Sequence, residues 1–210
     1  MIDITQLSIF AGSVFLLALT PGPDILYVLA RGLAQGRKAG LCAAAGFNLG
    51  VIVHTLFAAL GISAVLAASA TAFMVIKFAG AAYLIYIGIM MLRASGASGA
   101  INGDRRRIPL GVIFRQSIVA NVLNPKVALF FLAFLPQFTD PDKGPVAVQM
   151  LVLGGVFMLV SFCVFAAVAL FSGVVGNRLR RSPKVERGLN MGAGGLLVGL
   201  GLTLAFSDVR

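Results

Sequence analysis

Hydrophobic and polar positions fall in long blocks along this chain, not in the short alternation of a soluble helix or strand. Six apolar blocks cover roughly residues 7–30, 40–67, 71–93, 112–135, 147–176 and 188–206. Each approaches or exceeds the ~20 residues that a helix needs to cross a bilayer. The pattern predicts an all-α membrane protein with six transmembrane helices in one domain spanning 1–210. Two blocks are interrupted. Pro21-Gly22-Pro23-Asp24 lies deep in the first and Asn124-Pro125-Lys126 deep in the fourth. A proline inside a helix costs about 3 kcal/mol, and a lone charge at bilayer depth adds about 2.5–3.5 kcal/mol on insertion scales. A span with only a structural duty would avoid both, so these positions point to a site.

An odd number of spans per half inverts the second half relative to the first. With a break at similar depth in blocks 1 and 4, the chain fits a 3+3 inverted repeat with broken helices 1 and 4. The halves would cover about 1–94 and 110–210. The polar connector between them, 95–109, reads as a flexible cytoplasmic linker rich in Gly, Ser and Arg. The segment around Phe138 to Pro145 has turn chemistry.

Composition supports a membrane setting: 59% of residues are hydrophobic, 11% are charged and the mean hydropathy is +0.99. The net charge of +10 could suggest nucleic acid, but its placement argues otherwise. Twelve of the 17 basic residues fall between blocks 1 and 2 (Arg31, Arg37, Lys38), 3 and 4 (Arg93, Arg105, Arg106, Arg107) and 5 and 6 (Arg178, Arg180, Arg181, Lys184, Arg187). The opposite loops and both termini hold Lys143 and Arg210 beside Asp3, Asp140, Asp142 and Asp208. This positive-inside asymmetry predicts that both termini lie outside the cytoplasm. The basic loops read as topology signals that also meet anionic lipid. The first block carries no basic flank and is too long for a cleaved signal, so it is expected to remain as a span.

Ionisable groups at depth are few. Asp24 would sit in the first turn of the half-helix that restarts after Pro23, where the helix dipole favours a carboxylate. Lys126 would occupy the equivalent turn after Pro125, with Asn124 as N-cap. An ammonium beside free N–H groups makes an anion site suited to a carboxylate. Two arrangements stay open: Asp24 and Lys126 each meet a charge of a zwitterionic ligand, or they pair with each other. His54 shares a helical face with Gly46, Gly50, Phe57 and Gly61, within about 80° at 100° per residue. It reads as a satisfied core histidine or as a proton relay. Gly46 and Gly50 form a GxxxG pair that invites a close helix neighbour. The glycines of block 6 suggest interior packing as well. Lys77 shares a face with Gly80, Ala81, Leu84 and Gly88, yet lies only about 9 Å from the outer end, so burial and snorkelling compete. Arg115 is expected to snorkel. Cys42 and Cys163 read as small core hydrophobes, with no metal-ligand spacing. No cofactor or metal is implied.

Several elements together resemble the lysine exporter superfamily, in its homoserine/threonine exporter branch. They are Leu19-Thr20-Pro21-Gly22-Pro23, then Gly36-Arg37-Lys38-Ala39-Gly40 leading to Gly46 and Gly50. Next come Lys77 to Leu84, Asn121-Val122-Leu123-Asn124-Pro125-Lys126, Phe130-Phe131 and Leu135-Pro136-Gln137-Phe138. The resemblance covers essentially the whole chain. It implies proton-driven efflux of amino acids or close derivatives from a bacterial cytoplasm, across the inner membrane, and no enzyme activity. On that basis Pro21, Gly22, Pro23, Asp24, Asn121, Asn124, Pro125 and Lys126 are the candidate substrate-binding residues. Asp24 and His54 are the proton-coupling candidates, and Lys77 is secondary. Amino acid, protons and lipid are the implied partners, and homo-oligomerisation stays open. A metal-ion transporter of related fold would need several carboxylate, His or thiolate ligands at depth. A thiol–disulfide carrier would need paired cysteines in the broken helices, and blocks 1 and 4 contain none.

Overall fold

The computed structural model describes residues 3–62, 70–93, 107–174 and 183–206. Among them the regular elements are all helical: α1 (Ile4–Leu19), α2 (Pro23–Gln35), α3 (Arg37–Phe57), α4 (Ala70–Arg93), α5 (Leu110–Val122), α6 (Pro125–Leu129), α7 (Val146–Leu170) and α8 (Pro183–Phe206). Helix α3 runs on through a π turn at Ala58–Ile62. Helix α6 continues through a π turn at Phe130–Phe134 and a 3-10 turn at Leu135–Phe138. The chain is a multi-pass membrane protein by the apolarity and length of these helices. Arg37–Gly61 and Val146–Leu170 are each long and apolar enough to cross. Two bent pairs qualify together: Ile4–Leu19 with Pro23–Gln35, bent by 56°, and Leu110–Val122 with Pro125–Phe138, bent by 45°. In α4 and α8 the apolar stretches are shorter, Lys77–Met90 and Leu197–Phe206.

Both bends fall where the prolines were read. Thr20 closes α1 with extended backbone, and Pro23 opens α2 at its first position behind Gly22. Asn124 caps α6, its side chain accepting from the Lys126 N–H at 3.0 Å, and Pro125 takes the first helical position.

The first expected basic loop shrinks to a single residue. Helix α2 extends to Gln35, and Gly36, at φ 89°, turns the chain directly into α3. A positive φ favours glycine. Arg31 therefore lies inside α2, buried, with its guanidinium 5.4 Å from the centre of the Tyr27 ring and donating to Gln35. The connector over 94–106, the basic residues Arg178, Arg180 and Arg181, and the terminal residues Met1 and Arg210 lie outside the described residues.

The glycine face of α3 packs on α5. A Cβ at Gly46 would come within 2.5 Å of the Phe114 carbonyl oxygen, and one at Gly50 within 2.7 Å of Asn121 Cβ. The two helices run parallel, since Gly46 meets Phe114 and Ser117 while Gly50 meets Asn121. That face ends at His54: Phe57 is 67% exposed, because the neighbour it would meet bends away after Val122. Helices α4 and α8 pack along each other and run antiparallel, with Gly88 against Gly194 and Gly201 against Ala81. Among the described residues, Gly188, Gly192, Gly195 and Gly199 have no neighbour within 4 Å of where a Cβ would stand and are exposed, which corrects the expectation of a wholly interior glycine face. Cys163 is likewise exposed on α7, not a core residue, while the Cys42 thiol donates to the Leu110 carbonyl at 3.2 Å. Arg115 is exposed.

Candidate functional site

The two helix breaks meet. Lys126, at the start of α6, reaches across to the gap between α1 and α2. There its Nζ lies 3.1 Å from Asp24 Oδ2 and 3.2 Å from Oδ1. Both side chains are buried, at 6% and 3% exposure. The ammonium also lies 3.5 Å from the Leu17 and Thr20 carbonyls. Both carbonyls belong to the last turn of α1, where i+4 donors have run out, and that of Leu17 also accepts from the Thr20 N–H at 3.2 Å. Thus the cation sits at the negative end of α1 and the carboxylate at the positive end of α2, both favourable dipole positions. Asp24 Oδ1 further accepts from the Ile25 N–H at 3.0 Å. A cation is unfavourable at a helix N-terminus, and at the start of α6 this is relieved because the long lysine stem carries the charge across to the end of α1. Gly22 makes room for this: a Cβ there would fall 2.8 Å from Asp24 Oδ1 and 3.0 Å from Lys126 Nζ.

A small cavity adjoins the pair. Its volume, about 10 Å³, is close to what one water needs. Asp24, Asn121 and Lys126 line it together with Asn48 and Ser161, and the rest of the wall is apolar, including Leu17, Phe47, Val51, Phe157 and Phe165. Asn121 Oδ1 and Asn124 Nδ2 are buried with no protein hydrogen-bond partner among the described residues.

Toward the start of α1 the site is covered by aromatic rings. Phe10 packs 5.2 Å from Phe138 between ring centres, Phe130 4.8 Å from Phe134, and Phe131 4.9 Å from Phe157. Toward the end of α2 the cover is polar. Gln35 exchanges two hydrogen bonds with the Ile108 backbone, at 2.9 and 3.2 Å, and the Tyr27 hydroxyl donates to Gln116 Oε1 at 2.7 Å. The pair is therefore occluded from both directions.

Of the residues singled out in the sequence, Gly22, Asp24, Asn124 and Lys126 meet at the breaks, with Pro21, Pro23 and Pro125 shaping the backbone there. His54 is buried one step away, its Nε2 3.0 Å from the Asn121 carbonyl oxygen. A carbonyl only accepts, so Nε2 carries the proton. Lys77 is buried in α4, 2% exposed, with its Nζ 5.5 Å from the centre of the Phe78 ring. Burial, not snorkelling, is what the structure shows for it, and it does not line the cavity. Two cavity residues escaped the sequence reading: Asn48, and Ser161, whose hydroxyl donates to Asn48 Oδ1 at 3.2 Å. Asn48 lies about 200° around the helix from Gly46 at 100° per residue, off the face that drew notice. Its polarity within an apolar block was the only available signal.

A buried ion pair bridging two proline-broken helices inside an apolar bundle fits the broken-helix sites of membrane translocators. Comparison with known proteins agrees. The model of the LysE type translocator family matches residues 15–208, and the chain belongs to that family. An uncharacterised membrane protein of Pseudomonas aeruginosa is 34% identical over 209 residues, covering 97% of this chain and 96% of its own. A leucine efflux protein of Klebsiella pneumoniae is 30% identical, covering 96% and 95%. Another leucine efflux protein, of Salmonella choleraesuis, is 29% identical, covering 92% and 91%. No solved structure matches the chain.

Proposed function

We propose that this chain is a secondary active exporter that moves amino acids or close derivatives out of a bacterial cytoplasm in exchange for protons. Family membership and the relatives named as leucine efflux proteins support amino-acid export as the general activity. The observation that carries the mechanism is the buried Asp24–Lys126 pair between the two breaks. Separating a buried pair costs about 3–5 kcal/mol when one charge is left alone. A zwitterion avoids that cost by offering a carboxylate to Lys126 and an ammonium to Asp24 as the pair opens. The substrate thereby becomes a condition of opening. Asn121 lines the cavity and its Oδ1 has no protein partner among the described residues, so it would take a further N–H of the ammonium. With room for about one water, the present conformation is closed, and loading requires one cover to part.

The apolar wall favours leucine-like side chains over lysine-like ones, because among the described residues Asp24 and Lys126 are the only charged ones lining the cavity. Cells loaded with labelled leucine and labelled lysine provide the test. Expression of this protein is expected to accelerate leucine efflux several-fold and leave lysine efflux near background. Faster lysine than leucine efflux overturns the side-chain assignment, and acceleration of neither overturns the exporter reading.

Six crossings in a 3+3 inverted repeat remain the preferred layout. Supporting it, α3 and α5 run parallel and α4 and α8 antiparallel, as the second and fourth, and third and sixth, spans of such a repeat must. The contacts also match across halves: α1 touches α8 as the extension of α6 touches α4. Together with the basic-loop asymmetry this supports a reading with both termini in the periplasm of an inner-membrane protein. Reporter fusions after Arg210 and within 95–109 are expected to report periplasm and cytoplasm respectively. A cytoplasmic C-terminus defeats the six-span layout.

A further inference from the structure

Pro125 has no N–H, so it cannot close the helical bond to the carbonyl four residues back, which belongs to Asn121. That carbonyl accepts from the Asn124 N–H at 2.8 Å in a tight turn. Its second acceptor direction is filled from another helix, by His54 Nε2 at 3.0 Å. The imidazole thus brings a donor from α3 to the end of α5, where helical N–H partners have run out. It is held there by packing: His54 is 7% exposed and its ring centre lies 5.9 Å from that of Phe131, in the π turn after α6. The same residue, Asn121, turns its side chain to the cavity and is flanked by Gly50 of α3, one turn before His54.

We infer that His54 is a positioning residue that pins the α5–α6 break to α3, and so sets the place from which Lys126 reaches Asp24. Nε2–H donates to the carbonyl whether or not Nδ1 carries a second proton. The contribution of His54 on this inference is that fixed donor, and transport depends on it and not on titration of the ring. Only the kinetic arm below rests on the exporter reading.

Two variants separate donor from ring. His54→Leu keeps apolar packing against Phe131 and removes the donor, whereas His54→Gln keeps an amide N–H of similar reach. In purified full-length protein reconstituted in liposomes, His54→Leu is expected to raise KM for leucine roughly five- to tenfold, and His54→Gln by less than about twofold. The pH profile of His54→Gln should follow that of the parent. In detergent, His54→Leu should lower Tm by roughly 2–6 °C. The decisive comparison repeats that substitution in the Asp24→Leu/Lys126→Met background. There no ion pair depends on the placing of the break, so the Tm loss should fall to less than half. Equal Tm losses in both backgrounds overturn the inference, as does a His54→Gln variant as impaired as His54→Leu with its pH profile flattened. If the parent protein transports no amino acid, the exporter reading fails and the Tm comparison alone decides the role of His54.

Discussion

Lys126→Ala and Asp24→Asn are each expected to reduce amino-acid efflux by roughly two to three orders of magnitude while the protein still inserts in the membrane. The size follows from leaving one charge of a buried pair alone, about 3–5 kcal/mol. In the parent, Lys126 Nζ lies within 3.2 Å of both Asp24 oxygens and both groups are almost fully enclosed. Loss of transport by itself could reflect a weakened fold, so the double variant Asp24→Leu/Lys126→Met matters more. Replacing a buried pair by apolar residues of similar volume is often neutral or stabilising. The double variant should therefore recover the Tm lost by either single one, and yet transport nothing, because neither substrate charge would find a partner. Measured efflux from the double variant near the parent level would show that the pair only holds the helices together.

Efflux is further expected to collapse when a protonophore dissipates the proton gradient and to persist when sodium is replaced. Export against a gradient needs an energy source, and the chain carries no GxxxxGK[ST] phosphate loop. A proton needs a titratable group at the site, and Asp24 is the one carboxylate lining the cavity among the described residues. Substrate ammonium and a proton compete for it. Once the site faces outward, protonation of Asp24 releases the amine, and return of the protonated form resets the cycle. Asp24→Asn should accordingly lose gradient-driven efflux altogether, whereas His54→Gln should keep it. Efflux that follows sodium and ignores the proton gradient would falsify this scheme.

The helical content, the places of both breaks, the cap at Asn124 and the close approach along Gly46 and Gly50 were legible in the residues alone. Each is local: proline lacks an N–H, an Asn side chain reaches the N–H two residues on, and a glycine removes the Cβ that would keep a neighbour away. Periodicity misjudged Phe57, because whether a face is buried depends on how far its neighbour runs, and α5 stops at Val122. Asn48 and Ser161 were missed for a related reason: a wall is made by helices from both halves, and nothing along the chain says which faces converge.

The sequence by itself determined that two helices break, that each break carries a charge of opposite sign, and that these charges could not lie in lipid alone. Only the tertiary structure decided that the charges meet. Lys126 and Asp24 are separated by 102 positions, and their contact depends on the 56° and 45° bends and on the room left by Gly22. The same holds for His54 and Asn121, 67 positions apart. Backbone chemistry is a property of neighbours in sequence, but pairing of buried polar groups is settled by which helices pack together, since each must find its partner wherever the packed bundle places one.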